Sequence, residues 1–310
     1  MRMKLQTWVL SMAITVSVTN GFAQRQDEGT KMLVPSSAKT STFTSLLVVV
    51  NLDNADNTIT ITARRPDGSV IGAPLTNKTI PVGGRFRTTD ILGQLGGAVG
   101  DFGPITIEST NSKDLSAISE VSSSQGPAGF FPGVNVNSAW MKGILAEIVD
   151  TGNQGTPGTR RTNIGLNTVS GTTANVSMTL HDDSGNRLGN SATVTVPGNG
   201  LRQVNRDELR SLLGVSAVNG FLTFVSDQPI VAWASKIDNG TNDPSFQIAI
   251  AATASTPISQ FAPIISDQRN NLVFVALALI APLLLFLLSG KKEPQAGLDN
   301  RLLPTGNASG

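Results

Sequence analysis

The chain has 310 residues, a formal net charge of +1 and 15% charged residues, which excludes the strongly basic surface of a nucleic-acid binder. It contains no cysteine and one histidine, so disulfide staples, thiolate metal sites and multi-histidine metal sites are all excluded. Its 31 glycines and 16 prolines, set among many Thr, Ser, Asn and Val, suit short strands and frequent turns, and an all-β class is expected.

Residues 1–23 read as a secretory signal peptide, with Arg2 and Lys4 ahead of an apolar Trp8–Val18 run and a small residue, Ala23, at the cleavage point. A first β-sandwich repeat is expected over 29–133, a second over 138–250, with 130–138 as linker, and a stalk rich in Ala, Ser, Thr and Pro over 251–270. Leu272–Leu288 is uncharged throughout and would form a helix about 25 Å long, so 271–289 is expected to span a membrane. Lys291 and Lys292 follow at once, which places the body outside and the tail, 290–310, in the cytoplasm as a disordered segment.

The body repeats itself. Val48–Gly72 runs parallel to Ile164–Gly189, aligning Asn51 with Asn167 and Gly72 with Gly189, at offsets of 116 (167 − 51) and 117 (189 − 72). The same register carries Ile80-Pro81 onto Val196-Pro197, Ile105–Ile107 onto Leu222–Phe224, Ser119–Val121 onto Ser235–Ile237, and Phe130 onto Phe246. Each copy alternates apolar and polar residues at the strand period, as in Ile59, Ile61, Ala63 and in Val176, Met178, Leu180. Leading strands are expected at Lys31–Val34 and Gly143–Val149, and tight turns at Arg65–Gly68 and Asp183–Asn186, joining the second and third strands of each copy. Short helices are expected at Thr89–Leu95 and Arg206–Leu213, the latter stopped by Gly214. Strands so spaced point to two tandem antiparallel β-sandwiches, immunoglobulin-like in architecture, forming a two-module rod.

The segment Ser226–Phe246, SDQPIVAWASKIDNGTNDPSF, resembles the closing part of repeats in uncharacterised exported bacterial proteins with immunoglobulin-like sandwich modules. The resemblance covers both copies but not the anchor, and the first copy departs from it with SSSQGPAGFF. It implies an extracytoplasmic module and carries no catalytic motif across.

Candidate chemistry is sparse. His181 stands beside Asp182, Asp183 and Ser184, but neighbours on a strand face opposite ways and no nucleophile elbow surrounds a serine, so a solvent-facing role is expected. A glycosidase would need two converging carboxylates, for which Glu108, Glu120, Glu147 and Glu208 are the candidates. Asp238, Asn242 and Asp243 gather hard oxygen ligands in one loop and are a weak Ca²⁺ candidate, without the EF-hand spacing or its terminal Glu. Trp140 and Trp233 are assigned to the core rather than to a sugar-stacking platform. No cofactor is expected.

Together these features predict a non-enzymatic, single-pass membrane protein of structural or adhesive type at the bacterial cell envelope, with the body in the periplasm or at the cell surface. The alternative is a ligand-binding module for a glycan or a partner protein.

Overall fold

Strict alternation builds the strands. In Asn57–Ala63, the residues Ile59, Ile61 and Ala63 are buried while Thr58, Thr60 and Thr62 between them are half-buried. In Ala174–His181, Val176, Met178 and Leu180 are buried in the same way. The computed structural model describes residues 27–123 and 126–252, which belong to one compact unit. The expected signal peptide, membrane span and tail, and all but the first two residues of the expected stalk, lie outside the described residues. No helix among those described is long and apolar enough to cross a membrane.

The fold is mostly strand and consists of two antiparallel sheets. The first contains β1 (Lys31–Lys39), β2 (Phe43–Asn51), β3 (Asn57–Ala63), β4 (Leu75–Ile80) and β5 (Arg85–Thr88), then after helix α1 (Ile91–Gln94), β6 (Asp101–Ser109), β7 (Leu115–Ser123), β8 (Gly126–Pro132) and β9 (Val134–Asn135). Strand β1 meets β2 only at Lys39↔Thr44. The sheet therefore divides into a β4-β3-β6-β1-β9 layer and a β5-β2-β7-β8 layer. Inward residues of both layers, including Met32, Ile61 and Ile107 from one and Leu47, Val49 and Leu115 from the other, form one buried cluster.

The second sheet repeats this plan with β10 (Trp140–Ile148), β11 (Arg160–Thr168), β12 (Ala174–His181), β13 (Arg187–Val196), β14 (Leu201–Val204), helix α2 (Arg206–Leu213), β15 (Gly220–Asp238), β16 (Pro244–Ile248) and β17 (Ile250–Ala251). The 19-residue β15 replaces two strands of the first sheet: its beginning pairs with β12 and β10, and its end with β11 and β16. Asn205 caps α2 by accepting from the Glu208 N–H at 3.0 Å, and Gly214, at φ 66°, closes it as expected.

The structure corrects three local expectations. Residues 130–138 are not a loose linker: they complete β8, form β9 against β1, and end in a 3₁₀ turn at Val136–Ser138. Pro132 is compatible with strand because β8 is at the sheet edge. The tight turns join the third strand to the fourth, because Val48–Asn51 and Ile59–Ala63 lie on separate strands; in the second copy the turn closes one residue early, with Gly185 N–H donating to Asp182 O at 2.9 Å. Finally, the Asn51–Asn167 alignment is one residue off. The β2–β5 ladder pairs Val50 with Arg85, the β11–β14 ladder pairs Asn167 with Leu201, and the equivalent turns before these strands close Gly84 onto Pro81 and Gly200 onto Pro197. Asn51 is thus equivalent to Thr168, and by the same ladders Ser119 is equivalent to Ala234 rather than Ser235; a one-residue slip moves a side chain to the other face. Both do the same work: the Asn51 amide donates to Pro81 O at 3.1 Å and the Thr168 hydroxyl to Pro197 O at 2.7 Å.

At the start of the equivalent strands β6 and β15, Gly103 and Gly220 sit at φ 143° and 137°, directly over the carbonyl oxygens of Arg64 and His181. A methyl group there overlaps backbone as well as requiring an unfavourable dihedral. Gly220→Ala is expected to destabilise the chain by roughly 3 kcal/mol, read as a lowered denaturant midpoint with tryptophan fluorescence as the probe.

Candidate functional site: the seam and groove between modules

The amide of Asn167 faces out of the second module's core and organises the junction. Its Nδ2 donates to Pro35 O of the first module at 3.0 Å, and its Oδ1 accepts from Trp233 Nε1 at 2.8 Å, all of it buried. Trp233, 2% exposed, is therefore buried as expected, but at the seam between modules, where its ring meets Phe131 of the first module edge-on at 5.6 Å and Phe246 at 5.4 Å. Gly165 beneath it leaves room for the indole, which any side chain at that position would displace. A small apolar cluster of Leu33 and Val134 from the first module with Val231 from the second, flanked by Val169 and Ile248, continues the seam. Leu201 N–H donates to Pro66 O across it at 3.0 Å. Trp140 is half-buried, and its Nε1 has no partner among the described residues.

Beside this seam lies an open groove of about 610 Å³ with walls from both modules. Phe43, Phe102 and Phe131 line one side, and Arg161, Asn163 and Gln203 the other. Burial, and then the charge of Arg206, hold the Arg161 guanidinium below its ordinary value. Its Nη1 donates to Asn239 Oδ1 at 2.6 Å and its Nη2 to Asn242 Oδ1 at 3.2 Å.

That contact decides what the Asp238 loop does. Asp238 Oδ1 accepts from the Gly240 and Thr241 N–H groups at 2.9 and 3.0 Å, Asn242 faces a guanidinium, and Asp243 closes the turn through its carbonyl, which accepts from Asp238 N–H at 2.9 Å. Asp238 Oδ1 and Asn242 Oδ1 already accept from protein donors, and a cation, the Arg161 guanidinium, already stands beside Asn242. No group of three or more His, Cys, Asp or Glu side chains able to hold a metal ion is gathered among the described residues. Thr241 N–H first, then Gly240 N–H, hold the Asp238 carboxyl below its ordinary 3.8.

His181 does not face solvent. It is 7% exposed, stacks on Phe221 with ring centroids 5.0 Å apart, and places Nε2 3.1 Å from Thr223 Oγ1 and Nδ1 3.2 Å from Gly185 O. Burial is possible because both ring nitrogens find partners. The glycosidase carboxylates sit on four different elements, β6, β7, β10 and α2. Glu108 pairs with Lys31 at 3.0 Å, Glu147 with Lys236 at 2.5 Å, and Glu208 with Arg202. Two acids that composition did not single out are buried: Asp101, whose Oδ1 accepts from Arg65 Nε at 2.7 Å, and Asp150, whose Oδ2 accepts from Arg210 Nε at 2.5 Å and which ties α2 to the end of β10.

No family model matches the chain, and no curated protein matches it. Among solved structures, the chain is similar to that titled Crystal Structure of Thermotoga maritima 1070, at 18% identity and a TM-score of 0.30, over 37% of this chain and 97% of that one. A likeness of that size carries no argument about activity.

Two outcomes are expected from this geometry. Arg210→Ala strands a carboxylate whose side chain is fully buried and is expected to cost about 3–5 kcal/mol in chemical denaturation. The Asp238 carboxyl, lowered in the folded state, contributes stability that is complete above the ordinary aspartate value and is lost as pH falls through its lowered one. Denaturation midpoints measured from about pH 5 down to about pH 3 should therefore drop for the parent, and drop less for Asp238→Asn.

Proposed function

We propose that the chain is a non-enzymatic structural or adhesive protein of the bacterial envelope, displaying two immunoglobulin-like sandwich modules as one stiff body. In this reading the signal peptide, 1–23, directs export, and Leu272–Leu288 holds the body on the outer side of the membrane with its C-terminus in the cytoplasm. The observation that carries the reading is the seam: a buried Asn167 amide joining Trp233 to Pro35 and an apolar cluster fed by both modules. A body that serves as a spacer must resist bending between its parts, and a desolvated, hydrogen-bonded junction does so where a Gly/Pro linker would not.

A second reading, a binding module for a glycan or a partner protein, is favoured by the groove, where apolar rings face Arg161, Asn163 and Gln203.

Protease shaving of intact host cells, with tags in the body and at the C-terminus, tests the first reading. The body tag is expected to be lost while the tail tag stays protected in the membrane fraction. Recovery of the body free of the tail, or its protection after the outer barrier is opened, would discard membrane display. For the second reading, quenching or enhancement of Trp233 fluorescence is titrated with soluble glycans and peptides. Arg161→Ala is expected to weaken any such binding about tenfold, and the absence of any saturable change would remove the groove from consideration.

A further inference from the structure

The seam is heterologous: a donor face of the second module packs on an acceptor face of the first, and each module owns both faces. The ladders identify the unused counterparts. Donor residues Val169, Trp233 and Phe246 correspond to Leu52, Ile118 and Phe130 in the first module, through the β2–β7–β8 and β11–β15–β16 registers. Those three are 47%, 38% and 54% exposed. The acceptor pair Leu33 and Val134 corresponds to Ile144 and Ile250, since β9 and β17 bind β1 and β10 in the same way; Ile144 is already buried at 4% exposure, and the uncovered acceptor residue is Ile250, at 59%. Large apolar side chains at positions that the other copy covers, fully at Trp233 and Val134 and partly at Val169 and Phe246, are an unfinished interface.

Charge completes the match. Across the internal seam Leu201 N–H meets the carbonyl of Pro66. Their free counterparts are Arg85, through the β5 and β14 ladders, and Asp183, through the turns that Gly68 and Gly185 close. A cation and an anion thus stand where the internal contact is neutral, on surfaces able to meet only between chains.

We infer that the chain associates head to tail with further copies of itself, the β5-β2-β7-β8 face of one chain docking on the β10–β17 face of the next. The contact repeats the internal seam by the same rotation and so propagates into rows or rings rather than closing as a two-fold dimer. It is weaker than the internal seam, because Gln247 stands where the first module presents Phe131.

The absence of native cysteine makes the test direct. Full-length Ser116→Cys and Ile250→Cys chains, counterparts of Val231 and Val134, which share one buried cluster, are co-expressed and treated in membranes with a short permeant bis-maleimide, which reads contact whatever compartment the body occupies. A covalent dimer is expected from the mixture, none from either chain alone, and a ladder from the double variant. Arg85→Glu should cut the ladder at least fivefold and Asp183→Arg in the same chain restore it. Cross-linking of a single variant with itself would mean a two-fold contact and overturn the proposal. So would a mixture without product, or cysteines that resist labelling because other parts of the chain cover them. Should the Ser116 variant fail to reach the membrane, Leu52→Cys, the counterpart of Val169, replaces it with the same outcomes.

Discussion

One buried amide sets the relation between the two modules. Asn167 satisfies a main-chain acceptor in the first module and an indole donor in the second at once. Neither Pro35 O nor Trp233 Nε1 is within reach of bulk water, so loss of the amide leaves both exposed to a desolvation penalty of about 1–3 kcal/mol each. Apolar packing of Leu33, Val134 and Val231 supplies area, but area alone accepts many relative rotations. The hydrogen bonds select one of them, and the groove lined by Arg161 and Phe131 exists only in that arrangement.

Duplication followed by divergence explains how this amide became available. In the first copy, Asn51 is turned inward and spends its side chain on the turn around Ala55, Ile80 and Pro81. In the second, Thr168 takes the inward place, donating to Pro197 O and accepting from the Gly200 N–H, and the neighbouring asparagine lies on the outer face. The outward tryptophan follows the same logic, for its counterpart in the first copy is Ile118. The second module was thereby adapted to cover the first, while the first kept an uncovered version of the same face.

Much of this was legible in the residues. Strand periodicity, the asparagine cap and glycine stop of α2, and the existence of the repeat follow from local rules that depend on a few neighbours. The slip at Asn51 was not legible, because an alignment of letters rewards Asn against Asn while the pleat rewards inward against inward. The burial of His181 was hidden for a related reason: its partner Thr223 is distant in sequence, and only pairing of β12 with β15 brings the two together. Residues 130–138 misled through composition, since Gly and Pro are as acceptable at a sheet edge as in a tether. What the Asp238 loop bonds to was not legible either, because Arg161, which engages Asn239 and Asn242, comes from another strand.

The continuity of β15 gives the second module a different dynamic character from the first. In the first module, the layer built on β6 and the layer built on β7 are joined by the five residues from Thr110 to Asp114, so each layer keeps its own ladder. In the second, a single strand belongs to both layers, so fraying in one strips hydrogen bonds from the other. Amide protons from Phe221 to Asp238 then share one opening event and exchange with solvent as a block, whereas those of β6 and β7 exchange as two.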